Sequence, residues 1–369
     1  MINDGKFLAR MKRLATAGIL FSTLFASAAN AEIVGFNTIN HTGEPAAMCF
    51  EKNTHKMVSC PDSVRFNPEG SGLVVHLFNN QNFDRLEKLF DQWCTGKDRF
   101  ADGLWKLPHF SPKVEGALGF RSLNQNMEAV QSWQKAKPGS VAAKFFEAAL
   151  WKSYAWKSRG DAFANMVSKE SWTLFHERLG NADLILTEIE GRAKSCPAWY
   201  EEKIETLVAM GKGAEARKVF DEGVKTFPKY HQIYFAIARI YEPKWGGSVE
   251  AYNAFAHEAV RLAKGFEGGG MYARLFWLVD GRFGIPFVSE NKYPEWKYLQ
   301  AGYDDLMRDY PNSAHNTNRY AAVACRSNDS VLYRTLRSRT TDYLVSSMFD
   351  VDPVDVCDRR HKFKTNSMM

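Results

Sequence analysis

The chain has 369 residues, 45% of them hydrophobic, and a formal net charge of +6, so it can bury a large core in one or two domains. Removal of residues 1–31, which carry four basic residues and one acidic residue, leaves a formal charge of +3. So mild a charge does not favour nucleic acid as a partner. No later apolar run reaches the roughly 18 residues of a spanning helix, so we predict no integral membrane segment after removal of the leader.

Residues 1–31 have the order of a secretory signal peptide. Four basic residues precede an apolar run at 14–26, and Ala29 and Ala31 occupy the small-residue positions before the cleavage site. This pattern predicts cleavage after Ala31 and a periplasmic or secreted protein. The next residue is Glu32 and not a cysteine, so we do not expect a lipid anchor. The alternative is a cytoplasmic protein whose first helix is hydrophobic.

The even number of cysteines in an exported chain predicts disulfides. The six are Cys49, Cys60, Cys94, Cys196, Cys325 and Cys357. The first two flank what reads as a short hairpin and form the best-supported pair. The last two would tie the C-terminal tail to the last helices, and Cys94 with Cys196 is left by elimination. Free buried thiols are the alternative for these two pairs. The absence of a CxxC motif gives no support to a redox or zinc site.

The pattern predicts an all-α fold, a tetratricopeptide-like solenoid of helical hairpins with a small N-terminal β-hairpin cap. Residues 32–78 contain short apolar runs such as "GLVVHLF" and are predicted as the β-leaning cap. Residues 79–345 have helical periodicity and form the repeat domain, with separate helices expected at 166–180 and 181–195. Residues 346–369 form a tail that we expect to be frayed at its end.

One repeat signal is specific. Residues at tetratricopeptide spacing recur in two copies that lie 34 residues apart. The landmarks are Tyr200, Leu207, Ala216, Phe220, Gly223, Pro228, Tyr234, Ala238 and Tyr241. The second copy is lengthened by "PKWGGS" before the pattern resumes. We predict an enlarged turn between helices, with the tryptophan folded back on its neighbours.

The same turn supplies weak binding candidates. They are Arg159, Lys244, Trp245, Gly246, Gly247 and Ser248. The lysine and the free N–H groups near Ser248 could bind an anion. The structural alternative, which we favour, is that Pro243 stops one helix, the glycines form the turn and Ser248 caps the next helix. Arg159 and Gly160 are expected to end their own helix.

Several stretches resemble an exported bacterial family known only as a domain of unknown function, number four-zero-three-four. They include "FADGLWKL", "SYAWKSRGDAFANMVSKESWTLFHERL", "PKWGGS" and "YDDLMRDYPNSAHNTNRYAAVAC". The resemblance covers about residues 78 to 330. It implies a helical, tetratricopeptide-like body and supplies no activity, ligand or catalytic residue.

The sequence contains no catalytic motif that we recognise. GxSxG and GxxxxGK[ST] are absent, and the pairs His176-Glu177 and His257-Glu258 lack the second histidine of a zinc hydrolase. We predict no metal or cofactor. The first hypothesis is a scaffold in the bacterial envelope that binds a protein or peptide, in a narrower version an immunity protein against an envelope-acting toxin. A hydrolase whose catalytic groups meet only in three dimensions is the alternative, and a purely structural component is the third.

Overall fold

A computed structural model of the protein describes residues 37–39, 45–51, 56–59, 68–112, 118, 121–279, 293–340, 344, 346–349 and 352–364. The predicted signal peptide and Cys60 lie outside these residues. The predictions of cleavage after Ala31 and of a disulfide between Cys49 and Cys60 therefore concern residues that the structure does not describe.

The described chain is all-α apart from three short N-terminal strands. The helices are α1 (Pro68–Asn79), α2 (Phe83–Cys94), α3 (Leu123–Ala136), α4 (Val141–Arg159), α5 (Lys169–Ala193), α6 (Pro197–Ala209), α7 (Gly213–Thr226), α8 (His231–Ala238), α9 (Val249–Leu262), α10 (Gly270–Leu278), α11 (Trp296–Asp309), α12 (Ala314–Arg326), α13 (Ser330–Arg339) and α14 (Val354–Arg360). The strands β1 (Asn37–Ile39), β2 (Pro45–Glu51) and β3 (Lys56–Ser59) pair antiparallel in sequence order.

The run "GLVVHLF" is helical, which corrects its prediction as a strand. It lies in α1, where Val74, Leu77 and Phe78 are all buried. Their spacing of three and four residues is that of one helix face, whereas a strand would bury alternate residues. A short, nearly continuous apolar run does not distinguish the two cases. The helical part of the chain therefore begins before residue 79.

Helix α5 is continuous, which corrects the prediction of two helices that meet at Gly180. The buried positions Leu179, Ala182 and Leu186 continue one apolar face through the glycine. Packing of that face against α4 outweighs the roughly 1 kcal/mol helix penalty of one glycine. The two helices run antiparallel, since Arg178 donates to the carbonyl oxygen of Tyr154 at 2.8 Å and Arg192 donates to that of Gly139 at 2.6 Å.

The repeat landmarks lie in the packed core between α6 and α9. Helices α6 and α7 are joined by residues 210–212 and pack against each other. Gly223 faces the Tyr200 ring so closely that an added Cβ would lie 2.8 Å from it. The Phe220 ring lies between Tyr234 and Phe255, at centroid distances of 5.7 and 5.8 Å. Small and large side chains at these positions thus allow close helix contacts and fill the space between hairpins.

Two disulfides join distant parts of the described chain. Cys94 at the end of α2 is bonded to Cys196 before α6, and Cys325 in α12 is bonded to Cys357 in α14. These are two of the three pairs that the sequence predicted. The second bond holds the tail, where His361 is buried and lies 3.0 Å from the carbonyl oxygen of Cys325. The prediction of a frayed end is therefore wrong as far as residue 364, because the tail packs on α12 and α13.

The segment 98–111, between α2 and α3, crosses several helices. Trp105 donates from Nε1 to the carbonyl oxygen of Lys229 at 2.9 Å, and Ser111 donates to Glu202 at 3.2 Å. At its other end Asp102 lies 3.3 Å from His315 of α12. The segment 98–111 therefore connects the middle and the C-terminal helices.

Candidate functional site

Helices α4, α6 and α8 lie side by side and point in the same direction. Lys152 of α4 forms an ion pair of 2.8 Å with Glu202 of α6, and further along the same helices Ala155 and Ala209 belong to one apolar cluster. Since later residues meet later residues, the C-terminal ends of the helices come together. We call this region, defined by Lys152, Trp156, Glu205, Arg239 and Trp245, the α4–α6–α8 face.

A group of charged side chains lies at the centre of this face. The Lys152 ammonium contacts both Glu202 and Glu205, and Arg239 approaches Glu205 at 3.5 Å. Burial acts to lower the pKa of Lys152, but the two carboxylates outweigh it and raise that pKa. Burial raises the pKa of Glu202. Lys152 therefore stays charged and balances part of the negative charge of α6.

Glu201 is a carboxyl group of this face whose pKa is strongly raised. Burial, followed by the nearby Glu205 carboxylate, raises its pKa to about 8, although the Tyr230 hydroxyl donates a hydrogen bond to it. A carboxyl group with this pKa carries a proton at pH 7. One protonated and one ionised carboxyl group therefore lie one helical turn apart on α6.

This raised pKa predicts a pH dependence. Between the ordinary glutamate pKa of about 4.3 and 8, the folded state binds more protons than the unfolded state, so this group destabilises the fold progressively as pH rises, by up to about 1.4 kcal/mol per pH unit. We expect Glu201→Gln to flatten the fall in the free energy of unfolding across this range, as measured by urea denaturation. Glu177→Gln, at an exposed position of α5, is the control. An unchanged pH slope in Glu201→Gln would contradict the assignment.

Aromatic rings form the outer part of the face. The rings of Trp156 and Trp245 meet edge to face at a centroid distance of 6.0 Å, and Trp156 also contacts Phe175 at 5.0 Å. The enlarged turn thus folds its tryptophan back on α4, and Trp245 is half-buried. Its indole Nε1 is buried and has no hydrogen-bond acceptor among the described residues. A buried indole N–H without an acceptor is uncommon in folded proteins, and this one is the least satisfied buried polar group among the residues that define the face.

The structure divides the predicted binding residues into two groups. Arg159 closes its own turn by donating to the carbonyl oxygens of Gly160 and Ala162, at 2.9 and 2.8 Å. Ser248 caps α9 by accepting from the N–H of Ala251 at 3.1 Å. Lys244, in contrast, projects from the turn with a side chain that is 60% exposed, and its ammonium lies 3.6 Å from the buried carboxylate of Glu242. Most of the Lys244 side chain is therefore open to a ligand, whereas the polar groups of Arg159 and Ser248 are used within their own turns.

The two glycines shape the turn. Gly246 has φ of +90°, in the left-handed region. A Cβ on Gly247 would lie 2.2 Å from the carbonyl oxygen of Tyr241, so the turn must shift to accept any side chain. We expect Gly247→Ala to lower the free energy of unfolding by about 2–3 kcal/mol.

A matched control for this substitution lies inside α5. No atom lies within 4 Å of a Cβ built on Gly180, so Gly180→Ala should raise the free energy of unfolding by about 0.5–1 kcal/mol. Thermal and urea unfolding of the two variants measure this contrast. Equal effects would show that the contact between Gly247 and Tyr241 does not constrain the turn.

The exposed charge on the face is positive. Glu202 and Glu242 have side chains that are 2% and 4% exposed, while those of Arg239 and Lys244 are 37% and 60% exposed. Glu205 is 21% exposed, so the cations Arg239 and Lys244 are more exposed than any of these carboxylates. Lys157 adds another exposed cation at the end of α4.

A second polar network is closed to solvent and holds the segment 98–111. It consists of Asp102, His231, Glu267, Arg274 and His315, each at most 4% exposed. Arg274 donates to Glu267 at 2.8 Å and also to the carbonyl oxygen of Asp102, while His231 lies 2.7 Å from Glu267. Burial opposes ionisation of Glu267, but Arg274 and His231 outweigh it and lower the pKa of Glu267 to about 2. These contacts are structural, because a substrate has no access to them.

Other features of the described surface are less suited to binding. A hollow of about 390 Å³ lies along α2 and is lined by Asn82, Asp84, Arg85, Lys88, Leu89 and Gln92. All belong to α2 or its N-cap, so it is a depression on a single helix. Within the described ranges, no three His, Cys, Asp or Glu side chains are placed to hold a metal ion. None of the described helices is long and apolar enough to cross a membrane.

Sequence reasoning missed the charged part of the face. Lys152, Glu201, Glu202, Glu205 and Tyr230 were not candidates. The sequence offers one clue to Glu202. It lies two residues before the mostly apolar run "IETLVA" of α6, which is largely buried. A carboxylate within such a helix needs a charged partner, but the partner lies on another helix.

Comparisons with known proteins add no assignment. No family model matches the chain, and neither a curated protein nor a solved structure matches it. The resemblance to the exported family of unknown function stays a prediction.

Proposed function

We propose that the chain is an exported helical-repeat protein of the bacterial envelope that binds a protein or peptide segment on the α4–α6–α8 face. In this proposal the hairpins form a tetratricopeptide-like solenoid, and the strands of residues 37–59 form its cap. The repeat spacing and the family resemblance support a repeat protein, and the leader pattern and two disulfides support export. An immunity protein against an envelope-acting toxin is the narrower version.

The observation that carries the proposal is the tryptophan pair with its unused donor. Trp156 and Trp245 cover the end of the face, and no described residue accepts from Nε1 of Trp245. A buried donor without an acceptor destabilises the free protein by about 1–3 kcal/mol. A ligand that supplies a carbonyl or carboxylate oxygen would remove this penalty on binding.

The connection that follows the end of α4 carries exposed apolar side chains. Phe163 and Met166, in the connection between α4 and α5, are 81% and 72% exposed. The same connection leads into Trp172, whose ring lies under the guanidinium of Arg159. Large exposed apolar side chains beside aromatic rings are typical of protein interfaces.

Site-specific photo-crosslinking tests this proposal. A photoreactive phenylalanine analogue replaces Phe163 in the exported protein, and cross-linked partners are recovered from intact cells and identified by mass spectrometry. The control places the analogue at Leu184, which is 70% exposed on α5. We expect a discrete adduct from position 163 only. The same adducts from both positions, or none from position 163, would contradict binding at this face.

A hydrolase is the second candidate, and the observation in its favour is the pair of Glu201 and Glu205. A protonated carboxyl group beside an ionised one is the arrangement of a general acid with a base or nucleophile. A screen with chromogenic esters, glycosides and phosphate esters tests this candidate. Turnover that is lost in both Glu201→Gln and Glu205→Gln would support it, and no turnover would contradict it for these substrate classes.

A further inference from the structure

The segment 98–111 is an example of an extended stretch of chain that packs across these helices. In the segment 98–111, Asp102 and Trp105 reach across the helices that follow α6. Trp105 packs edge to face on Tyr230 at 5.0 Å, and Asp102 meets His315 at 3.3 Å. Arg274 donates to the Asp102 backbone. One acidic residue, one aromatic ring and a backbone carbonyl thus meet a histidine, an aromatic ring and the guanidinium of Arg274.

The segment 98–111 ends at the α4–α6–α8 face. Ser111 donates to Glu202 at 3.2 Å, and Glu202 pairs with Lys152. Trp156 lies about one turn further along α4, and Trp245 lies in the turn that follows α8. This continuation offers the same kinds of groups as the occupied part. Arg239 and Lys244 provide exposed cations, the tryptophan rings provide aromatic contact, and Nε1 of Trp245 provides a donor.

We propose that the α4–α6–α8 face binds an acidic peptide segment that carries an aromatic or aliphatic side chain. This inference rests on the proposed function and specifies the chemistry of the partner. The apolar side chain packs beside Trp156 and Trp245, acidic side chains face Arg239 and Lys244, and a peptide carbonyl accepts from Nε1 of Trp245. Because the carboxylates of Glu202, Glu205 and Glu242 are at most 21% exposed, they repel an acidic ligand less than the more exposed cations attract it.

The recessed donor favours a peptide over an anionic lipid surface. Nε1 of Trp245 is buried while Lys244 is exposed, so a ligand must reach below the level of the lysine to use both. An extended chain presents carbonyls and side chains at different depths. A flat headgroup layer meets the exposed cations and does not reach this N–H.

Fluorescence anisotropy with synthetic peptides tests the proposal. The probe is a short fluorescein-labelled peptide of glutamate, glycine and tryptophan, and the comparison peptide has lysine in place of each glutamate. We expect the exported protein to bind the acidic peptide at least about tenfold more tightly than the basic one, with weaker binding at higher salt. Equal affinity for the two peptides, or no binding of the acidic one, would overturn the proposal.

Two substitutions locate the binding. Lys244→Glu should weaken binding of the acidic peptide about three- to tenfold, whereas Lys225→Glu, at an exposed position at the end of α7, should leave it unchanged. Trp245→Phe keeps a ring and removes the N–H, so it should weaken binding about three- to tenfold. Loss of the N–H itself should not lower the unfolding midpoint of Trp245→Phe, because no described residue accepts from it, so any fall in the midpoint should come from the smaller ring that packs on Trp156. An affinity for the acidic peptide that is unchanged in Trp245→Phe would overturn the role assigned to this N–H.

Two further comparisons distinguish failure of this inference from failure of the proposed function, and a peptide ligand from a lipid surface. Cross-links from position 163 without binding of the acidic peptide would support the proposed function and reject the inference. If there were neither cross-links nor peptide binding, both would be rejected. Vesicles of phosphatidylglycerol and phosphatidylcholine serve as the lipid probe. Sedimentation with these vesicles, combined with no peptide binding, would overturn the proposal in favour of a membrane surface.

Discussion

Loss of the disulfide between Cys94 and Cys196 should lower the free energy of unfolding by about 4.7 kcal/mol. The bond closes a loop with a sequence separation of 102 residues, and the chain-entropy relation for a loop of about 100 residues gives this value. The bond also anchors the end of α2, which leads directly into the segment 98–111. Replacement of both cysteines by alanine, followed by urea denaturation, measures the effect.

The second disulfide is the matched control. Cys325 and Cys357 are separated by 32 residues, for which the same relation gives about 3.7 kcal/mol. Alanine at both of these positions should therefore be about 1 kcal/mol less damaging. If the variant without Cys94 and Cys196 lost less than about 2 kcal/mol in the free energy of unfolding, the bond would not stabilise the protein mainly by restricting the unfolded chain.

The other large effect is expected at Arg274. Its side chain is buried and donates to Glu267 and to the segment 98–111. Arg274→Met leaves the Glu267 carboxylate in the core without its main partner, and we expect a loss of about 3–5 kcal/mol in the free energy of unfolding. Arg308→Met removes an arginine that is 65% exposed and should lower the free energy of unfolding far less.

The pH dependence of unfolding shows why Arg274→Met should lower the free energy of unfolding. The folded pKa of Glu267, about 2, lies below the ordinary value of about 4.3. Its stabilisation is therefore complete above about pH 4.3 and is lost as pH falls towards 2, which amounts to about 3 kcal/mol. In Arg274→Met this dependence should be much smaller. Unchanged acid sensitivity in Arg274→Met would show that Glu267 does not depend on the arginine.

Local features of the fold could be predicted from the sequence because they depend on nearby residues. Serine N-caps such as Ser248 and the turn at Gly160 follow from short patterns. The contact between Gly223 and Tyr200 follows from a repeat spacing that places a small residue where two helices meet. Errors arose where a short pattern supports two structures, as in "GLVVHLF", or where packing outweighs a local preference, as at Gly180.

The candidate face could be predicted only in part. Trp245 and Lys244 stood out because glycines and a proline surround them. The contacts of Glu202 with Lys152 and Ser111 join residues that are far apart in the sequence, and no periodicity encodes such a pairing. The path of the segment 98–111 was invisible for the same reason, since the bond from Arg274 to Asp102 spans 172 residues.

The segment 98–111 has a mechanical consequence. Arrays of helical hairpins usually contact only their neighbours, so force can peel them apart one repeat at a time. Here the segment 98–111 contacts α6, α10 and α12 at once, and the disulfide between Cys94 and Cys196 anchors the helix that precedes it. Optical-tweezers extension of the oxidised chain should therefore produce a single large rupture, and reduction should allow the helices to separate in smaller steps.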